Sequence, residues 1–221
     1  MAKKGISLYS ILKKYYLNPL QVIAVEAIRN NKIVVLRGEA GTAKTFTAVY
    51  AAMKLLTEEN SIERIAITRP MITTEKMGFL PGEIEDKLDP FLSPVISFFN
   101  KFGEAGEKTF EAYTVAGKIR RAPLAFMRGT TVESEILIVD EAQNVTPEQM
   151  LMILTRLGKG GKIVITGDEK QNDLHSIATG MDYIVALSKR LPYIREITLT
   201  DNMRDPIINE IIQNWPREIR V

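Results

Sequence analysis

Residues 32–45 read KIVVLRGEAGTAKT, and this stretch constrains the fold of the chain more than any other. The apolar run at 33–36 predicts a buried strand, and a turn with two glycines follows it. Lys44 and Thr45 then open a helical pattern that continues to residue 56. This order is typical of a phosphate-binding loop, in which backbone N–H groups and a helix N-terminus surround phosphate groups. The stretch therefore predicts an α/β fold with an anion site after its first strand.

The individual residues of this loop have predicted roles. We expect Lys44 to reach the β- and γ-phosphates of a nucleotide and the Thr45 hydroxyl to bind Mg²⁺. The usual pattern is G-x-x-x-x-G-K-[ST], and Ala43 stands at the second Gly. Its methyl group leaves two alternatives, a strained loop or an ordinary helical conformation. The residues expected to hold the nucleotide are Gln21, Gly38, Glu39, Ala40, Gly41, Thr42, Ala43, Lys44, Thr45 and Phe46.

Gln21 belongs to this set because of its side-chain chemistry. It precedes a short amphipathic helical pattern that ends at residues 30–31, one helix upstream of the loop. A Gln amide offers a donor and an acceptor together, which matches the N6/N7 edge of adenine. A solvent-facing Gln in the first helical turn is the alternative.

Two further strands are predicted to end near the same site. Residues 64–68 form an apolar strand that follows a loop and a helix, which favours a parallel sheet and directs Thr68 and Arg69 towards the site. Residues 135–139 form another strand, and Asp140 and Glu141 follow it. These two residues have the character of a Walker B element, with an Asp for the Mg²⁺ shell and a Glu that orients or deprotonates water. A charge pair before the helix predicted at 147–157 is the alternative.

The last third of the chain adds two strands, at 162–166 and 195–200, and helices at 180–189 and up to about residue 215. Asp168 and Gln171 follow the first of these strands and are candidates for sensing the γ-phosphate. Arg204 follows the second and either stabilises charge on the transferring phosphoryl group or pairs with a neighbouring Asp. We expect the single histidine, His175, to be a surface or hinge residue.

Residues 71–128 interrupt the alternation of strands and helices, and we expect an irregular insertion there. It contains an acidic segment at 82–89, a helix at 90–102 and a basic stretch at 116–128. Basic residues near aromatic ones suit single-stranded nucleic acid, whereas a solvated edge is the alternative. The candidate nucleic-acid contacts are Arg69, Lys118, Arg120, Arg121 and Arg128.

Composition limits the remaining classes. A chain of 221 residues with 45% hydrophobic residues suits one globular domain over 1–221, and a net charge of +2 requires any nucleic-acid surface to come from local clustering. The absence of cysteine excludes disulfides and thiolate metal sites. Because no apolar run suits a secretory signal or a membrane helix, we expect a cytoplasmic protein without a membrane partner.

Together with the loop GEAGTAKT, other blocks of sequence carry a resemblance to a known family. They are ITRPMI, GFLPGEIEDKLDPFLSPV, LAFMRGTT, ILIVDEAQNVTPEQM, LTRLG, ITGDEKQNDL and DNMRDP. Through them the chain resembles the PhoH-like ATPases, relatives of the superfamily-one helicases, in a compact form of the kind that bacteriophages also carry. The host cytoplasm would be the location of a phage-encoded member.

The resemblance implies a RecA-like P-loop NTPase core. Gly38, Gly41, Lys44 and Thr45 would hold phosphate and Mg²⁺, Asp140 and Glu141 would form Walker B, Asp168 and Gln171 would sense the nucleotide, and Arg204 would be an arginine finger. The chain departs from the family pattern at Ala43, at His175, where Pro is usual, and at Asp205, where His is common.

Motifs and resemblance together predict an α/β, RecA-like P-loop NTPase core with a mainly parallel five-stranded sheet flanked by helices. We expect the fourth strand to lie between the phosphate-loop strand and the Asp140 strand. The expected reaction is ATP hydrolysis, with Mg²⁺ at Thr45 and Asp140 and with Lys44, Glu141, Gln171 and Arg204 as catalytic residues. The expected partners are RNA or single-stranded DNA and further copies of the chain, as a ring or other homo-oligomer. A nucleotide-dependent switch and a P-loop kinase are the alternatives.

Overall fold

The structure is a computed structural model that describes residues 8–70, 84–169, 171, 178–203, 207, 210–211 and 214. Its helices are α1 (Leu8–Leu12), α2 (Pro19–Asn30), α3 (Lys44–Glu58), α4 (Ile84–Asn100), α5 (Glu104–Val115), α6 (Pro147–Leu154) and α7 (Gly180–Ser188). Its strands are β1 (Ile33–Arg37), β2 (Arg64–Thr68), β3 (Ile119–Arg121), β4 (Glu135–Val139), β5 (Lys162–Gly167) and β6 (Ile194–Thr198). Within this part of the chain, no helix has the length and apolar character needed to cross a membrane.

All the strand pairs of the sheet are parallel, in the order β3-β2-β4-β5-β1-β6. The predicted α/β class with a mainly parallel sheet is therefore confirmed, and so is the position of β5 between β1 and β4. Because every strand runs the same way, the segments that follow β1, β2, β4 and β5 emerge at one edge of the sheet. We call this edge the carboxyl edge and the opposite one the amino edge.

Apolar residues alternate along the strands and build a core on each face. Val34 and Leu36 of β1 pack on the face covered by α1 to α4, whereas Val35 packs on the face covered by α6 and α7. Burial on both faces explains why the central strands read as continuous apolar runs in the sequence.

Two expectations for residues 71–128 are wrong. The sheet has six strands and not five, because β3 adds an edge strand beside β2. Residues 84–121 of this segment are also largely regular, since α4, α5 and β3 follow one another. Helix α4 forms because its apolar residues recur at helical spacing, and Leu92, Val95 and Phe99 are buried against the core. It begins at Ile84, inside the acidic segment, and ends at Asn100.

Helices α2 and α6, on opposite faces of the sheet, begin at side-chain caps. Asn18 accepts a hydrogen bond from the backbone N–H of Gln21, and Gln21 accepts one from the backbone N–H of Asn18. Thr146 and Gln149 form the same reciprocal box before α6. Gln21 is 3% exposed, so it is not the solvent-facing residue of our alternative. Its side chain serves the helix start.

Candidate active site

A cleft of about 260 Å³ lies at the carboxyl edge, beside the start of α3. Segments that follow β1, β4 and β5 form its walls, so residues far apart in the sequence converge there. The cleft is lined by Ala40, Gly41, Ala43, Lys44, Thr45, Phe46, Asp140, Glu141, Thr166, Gly167, Asp168 and Gln171. The structure thus brings together three of the four predicted catalytic residues, Lys44, Glu141 and Gln171, with both predicted Mg²⁺ residues, Thr45 and Asp140. Arg204 and His175 lie outside the described residues.

The loop between β1 and α3 is strained at Ala43. This residue has φ 59° and ψ 30°, in the left-handed region, and it immediately precedes α3. A left-handed conformation costs an L-residue with a Cβ atom about 1–2 kcal/mol. Of our two alternatives, the strained loop is therefore the one that the structure shows. At Gly38 a Cβ atom would lie 2.3 Å from the carbonyl oxygen of Leu199, so close packing against the end of β6 requires glycine there.

The Lys44 side chain folds back against this loop. Its Nζ donates to the carbonyl oxygens of Gly38 and Glu39, each at 2.8 Å. These contacts hold the cation on the inner side of the loop, where the backbone N–H groups at the start of α3 also concentrate positive potential. The predicted phosphate-binding groups therefore share one location.

Asp140 is a buried carboxylate of the cleft that binds two hydroxyls. It is 3% exposed, and its Oδ1 accepts hydrogen bonds from the hydroxyls of Thr45 and Thr166, both at 2.7 Å. Sequence reasoning missed Thr166. The available signal was a polar residue directly after the apolar run at 163–165 of β5.

The oxygen atoms of Thr45 and Asp140 fit Mg²⁺, which prefers hard oxygen ligands. Across the residues that the structure describes, no group of three or more His, Cys, Asp or Glu side chains converges to hold a metal ion. This composition fits a Mg²⁺ ion held largely by phosphate oxygens and water, as is usual for this ion.

Glu141 follows Asp140 with an unusual backbone and two side-chain partners. Its φ of 53° and ψ of 44° are left-handed, at the start of the 3-10 turn Ala142–Asn144. Its Oε1 lies 3.2 Å from Nη2 of Arg69, and its Oε2 accepts a hydrogen bond from Nε2 of Gln143 at 2.6 Å. Gln143 in turn accepts from the backbone N–H of Asp168 at 3.0 Å. The ends of β2, β4 and β5 are joined through this carboxylate, and sequence reasoning missed Gln143.

The residues around Gln171 and Arg204 are connected to the same loops. The backbone N–H of Gln171 donates to the carbonyl oxygen of Asp168, and the side chain of Gln171 is exposed in the cleft. Asn202 Nδ2 donates to the carbonyl oxygen of Ala40, and the backbone N–H of Met203 donates to that of Gly41. The segment after β6 therefore lies against the phosphate-binding loop.

Other residues predicted to contact the nucleotide have further structural roles. Gln21 does not line the cleft and caps α2 instead. Gly38, Glu39 and Thr42 line a second cavity of about 410 Å³, and Asp168 lines both cavities. Phe46 lines the cleft and also packs edge-to-face on Tyr15, with ring centroids 4.9 Å apart.

Arg37 lines this second cavity and forms two ion pairs beside it. Its guanidinium pairs with Glu169 and with Glu196, each at 2.8 Å. Burial by itself raises the pKa of Glu196, but hydrogen bonds from Arg37 and Ser188 outweigh burial and lower the pKa overall. The cavity is therefore bordered by side chains that are already paired.

The candidate nucleic-acid residues are divided between the two edges of the sheet. At the amino edge, the Lys118 ammonium lies 5.7 Å from the Tyr113 ring centroid. Nε and Nη2 of Arg120 bind the Glu135 carboxylate at 2.7 and 2.6 Å.

Arg69 lies at the carboxyl edge, where its guanidinium contacts Glu141. Arg128 is exposed in the segment after β3, as is Phe126, which is 71% exposed.

The chain is similar to known proteins over most of its length. A family described as "PhoH-like protein" matches residues 15–215. The PhoH-like protein of Synechocystis sp. is 39% identical over 197 residues, covering 87% of this chain and 59% of the relative. The PhoH-like protein of Bacillus subtilis is 39% identical over 198 residues, covering 88% and 61%. Protein PhoH of Escherichia coli is 38% identical over 158 residues, covering 71% and 44%.

The chain spans about three fifths of the length of the first two relatives. Among solved structures, the crystal structure of Pif1 helicase from Candida albicans matches with a TM-score of 0.48 and 18% identity, over 90% of this chain and 44% of that one. A Bacteroides sp. Pif1 in complex with ADP-AlF4 matches with a TM-score of 0.42 and 16% identity, over 91% and 46%.

Proposed function

The chain belongs to the PhoH-like protein family, and we propose that it hydrolyses ATP with Mg²⁺ and couples this reaction to single-stranded nucleic acid. The observation that carries the proposal is the meeting of two chain segments. Thr45, at the start of α3, donates its hydroxyl to Asp140 at 2.7 Å, and Glu141 lines the same cleft. A phosphate-binding helix start, a metal-supporting Asp and an adjacent Glu are the groups that nucleotide hydrolysis requires.

Each group has a role that follows from its position. Lys44 binds the β- and γ-phosphates as the loop encloses them, and Thr45 and Asp140 hold Mg²⁺. When bound there, Mg²⁺ would supply positive charge that offsets the charge developing on the phosphoryl oxygens. Thr166 fixes Asp140 by its second hydrogen bond. Glu141 orients the attacking water and accepts its proton. Gln171 reports the presence of the γ-phosphate.

Water is the acceptor that this cleft favours over a second substrate. Glu141 lies one residue after the metal-supporting Asp, on a short turn that fixes its backbone. A P-loop kinase needs instead a pocket for the acceptor molecule next to the γ-phosphate. The second cavity is lined by Arg37 and Glu169, which already pair with each other.

The nucleic-acid part of the proposal rests on exposed groups at the carboxyl edge and in the segment after β3. Arg69 and Arg128 supply positive charge, and Phe126 offers a ring on which a base can stack. Arg120 is the least suited of the predicted contacts because Glu135 holds its guanidinium at both oxygens. RNA and single-stranded DNA share the chemistry that these groups recognise.

Arg204 and self-association complete the proposal. Residues 202 and 203 bind the phosphate loop, which supports a role for the following Arg204 in this cleft or in that of a neighbouring copy. We propose a homo-oligomer in which one copy completes the site of another. Sedimentation in the presence of ATP tests this, and a monomer at every protein concentration contradicts it.

The decisive experiment measures phosphate release from ATP with oligo(U) RNA, with oligo(dT) and without either. We expect hydrolysis by the wild type and a loss of about 10²–10⁴-fold in kcat for Glu141→Gln, because the general base is removed. Lys44→Ala should lose nucleotide binding as well as turnover. Glu133→Gln is the matched control, since Glu133 is exposed just before β4.

The outcomes separate the three functions. No release under any condition contradicts hydrolysis and leaves a nucleotide-dependent switch. Full turnover in Glu141→Gln shows that Glu141 is not the base. Transfer of labelled phosphate to an added acceptor, in place of release, indicates a kinase.

A further inference from the structure

Arg69 contacts one oxygen of the Glu141 carboxylate, the proposed general base. It follows the last residue of β2, and its Nη2 lies 3.2 Å from Oε1 of Glu141. The other oxygen, Oε2, accepts the hydrogen bond of Gln143. A general base must present an oxygen to the water that it deprotonates, at hydrogen-bond distance. In this arrangement both Glu141 oxygens already have protein partners.

The two partners of Glu141 differ in how easily another group can displace them. Gln143 is 1% exposed, and its own carbonyl oxygen is fixed by the backbone N–H of Asp168. Arg69 reaches Glu141 from the outside, with 39% of its side chain exposed. An ion pair between partly exposed side chains is weak, so other anions can compete with the carboxylate for the guanidinium. Arg69 is therefore the partner that an incoming anion can remove.

We propose that Arg69 is a latch on Glu141, and that a phosphate group of a single-stranded nucleic acid opens it by binding the guanidinium in place of the carboxylate. The proposal rests on the ATP hydrolysis proposed above and adds its regulation. A guanidinium presents a planar fork of donors that suits phosphate at least as well as carboxylate. Once Arg69 binds phosphate, Oε1 of Glu141 is free to accept a proton from water. Arg69 is thus a positioning residue that acts through Glu141.

The opposite role for Arg69 predicts the opposite result. If Arg69 held Glu141 in its active orientation, removing the guanidinium would lower the rate. If Arg69 only stabilised the fold, removal would change the fraction of folded protein without raising kcat. An increase in kcat without nucleic acid distinguishes the latch from both roles.

The test compares Arg69→Ala with the wild type by steady-state ATP hydrolysis. Without nucleic acid, we expect kcat to rise about two- to fivefold, the range that an exposed ion pair supports, with KM for ATP unchanged. Oligo(U) or oligo(dT) should stimulate the wild type and no longer stimulate the variant. Arg69→Lys keeps the cation and should resemble the wild type more closely than Arg69→Ala does.

Arg64→Ala is the matched control. Arg64 begins the same strand at the amino edge and lies 3.4 Å from Glu135, which retains Arg120 as a partner. Its kcat and its stimulation by nucleic acid should equal those of the wild type. The double variant Arg69→Ala/Glu141→Gln should have the low rate of Glu141→Gln, because the latch acts through that carboxylate.

Nucleic-acid affinity gives a second measurement that does not depend on turnover. Loss of one phosphate contact should lower the salt slope of oligo(dT) binding by about 0.7 in Arg69→Ala.

Each outcome bears on one of the two proposals. If the wild type releases no phosphate under any condition, hydrolysis is wrong and the latch with it. If the wild type hydrolyses ATP and Arg69→Ala has an equal or lower kcat, hydrolysis stands and the latch is wrong. If the basal rate rises while nucleic acid still stimulates the variant as strongly as the wild type, phosphate does not open the latch.

Discussion

Strands β2 and β4 are joined by an Arg–Glu contact at each of their ends, and the two contacts differ in burial. At the amino edge, Arg64 and Arg120 both reach Glu135, whose side chain is 2% exposed. At the carboxyl edge, Arg69 reaches Glu141, whose side chain is 35% exposed. The strands are paired in register between these ends, with Arg64 opposite Glu135 and Thr68 opposite Val139.

The difference in burial gives the Arg–Glu contact a structural role at the amino edge and a proposed functional role at the carboxyl edge. Glu135 is enclosed and held at both oxygens by Arg120, with Arg64 beside it, so it fastens the edge strand β3 to the sheet. Glu141 keeps partial exposure and sits on a left-handed backbone at the mouth of the cleft. Functional groups collect beyond the carboxyl ends of parallel strands, where loops are free to vary. The amino edge supplies rigidity to that arrangement.

The largest effect on stability is expected when the Arg–Glu contacts at the amino edge are broken. Glu135→Gln removes the charge that Arg64 and Arg120 share and should lower the free energy of unfolding by about 1–3 kcal/mol, the range for hydrogen bonds to charged groups. The rate of hydrolysis per folded molecule should not change, because Glu135 lies away from the cleft. Urea unfolding followed by circular dichroism measures the first quantity.

Glu133→Gln again provides the control, with a change within about 0.5 kcal/mol expected for an exposed residue. A Glu135→Gln protein as stable as the wild type would show that this carboxylate does not hold the edge strand.

An intermediate effect is expected at the carboxyl edge. Thr166→Val keeps the shape of the side chain and removes one of the two hydroxyls that bind Asp140, so we expect kcat to fall about tenfold, or about 1.4 kcal/mol in barrier. Phosphate release at saturating ATP and Mg²⁺ measures it, and Thr166→Ser should retain the wild-type rate. A rate within about twofold of the wild type in Thr166→Val would mean that Thr45 alone orients Asp140.

The smallest effect concerns the strained loop. Ala43→Gly relieves a conformation that costs about 1–2 kcal/mol and adds about 0.4–1 kcal/mol of chain entropy to the unfolded state, so the free energy of unfolding should rise by about 0–1.6 kcal/mol. Ala112→Gly, at an exposed position inside α5, should instead lose about 0.5–1 kcal/mol.

The same Ala43→Gly protein tests whether strain matters to the site. Unchanged ATP affinity and turnover would assign the strain to stability alone, whereas a change in either would assign it to phosphate binding. Equal loss of stability in both glycine variants would contradict the strained conformation.

The central strands and the edge strand β6 were predictable from the sequence, and the other edge strand, β3, was not. The predicted bounds of β2 and β4 agree with the structure, because both are apolar runs bounded by charged or polar residues. Strand β3 has three residues, two of them arginines, and its sequence reads as a basic segment. It forms because β2 offers an unpaired edge and Glu135 binds Arg120.

For the candidate site, the sequence by itself determined the chemical groups that follow each strand. Lys44, Thr45, Asp140 and Glu141 could be named because each stands next to an apolar run in a recurring local pattern. The same local reasoning could not decide between the two conformations of Ala43, since its backbone depends on the packing around the loop.

Only the tertiary structure decided which of these groups meet. Thr45 and Asp140 are 95 positions apart, and Arg69 and Glu141 are 72 apart. Such contacts exist because parallel strands align their carboxyl ends. The predicted parallel sheet placed these groups at one edge, and the tertiary packing set which of their atoms are in contact. The fold likewise placed Arg120 on Glu135, gave Asp140 its second hydroxyl from Thr166, and left Arg69 exposed on the carboxylate that we propose as the base.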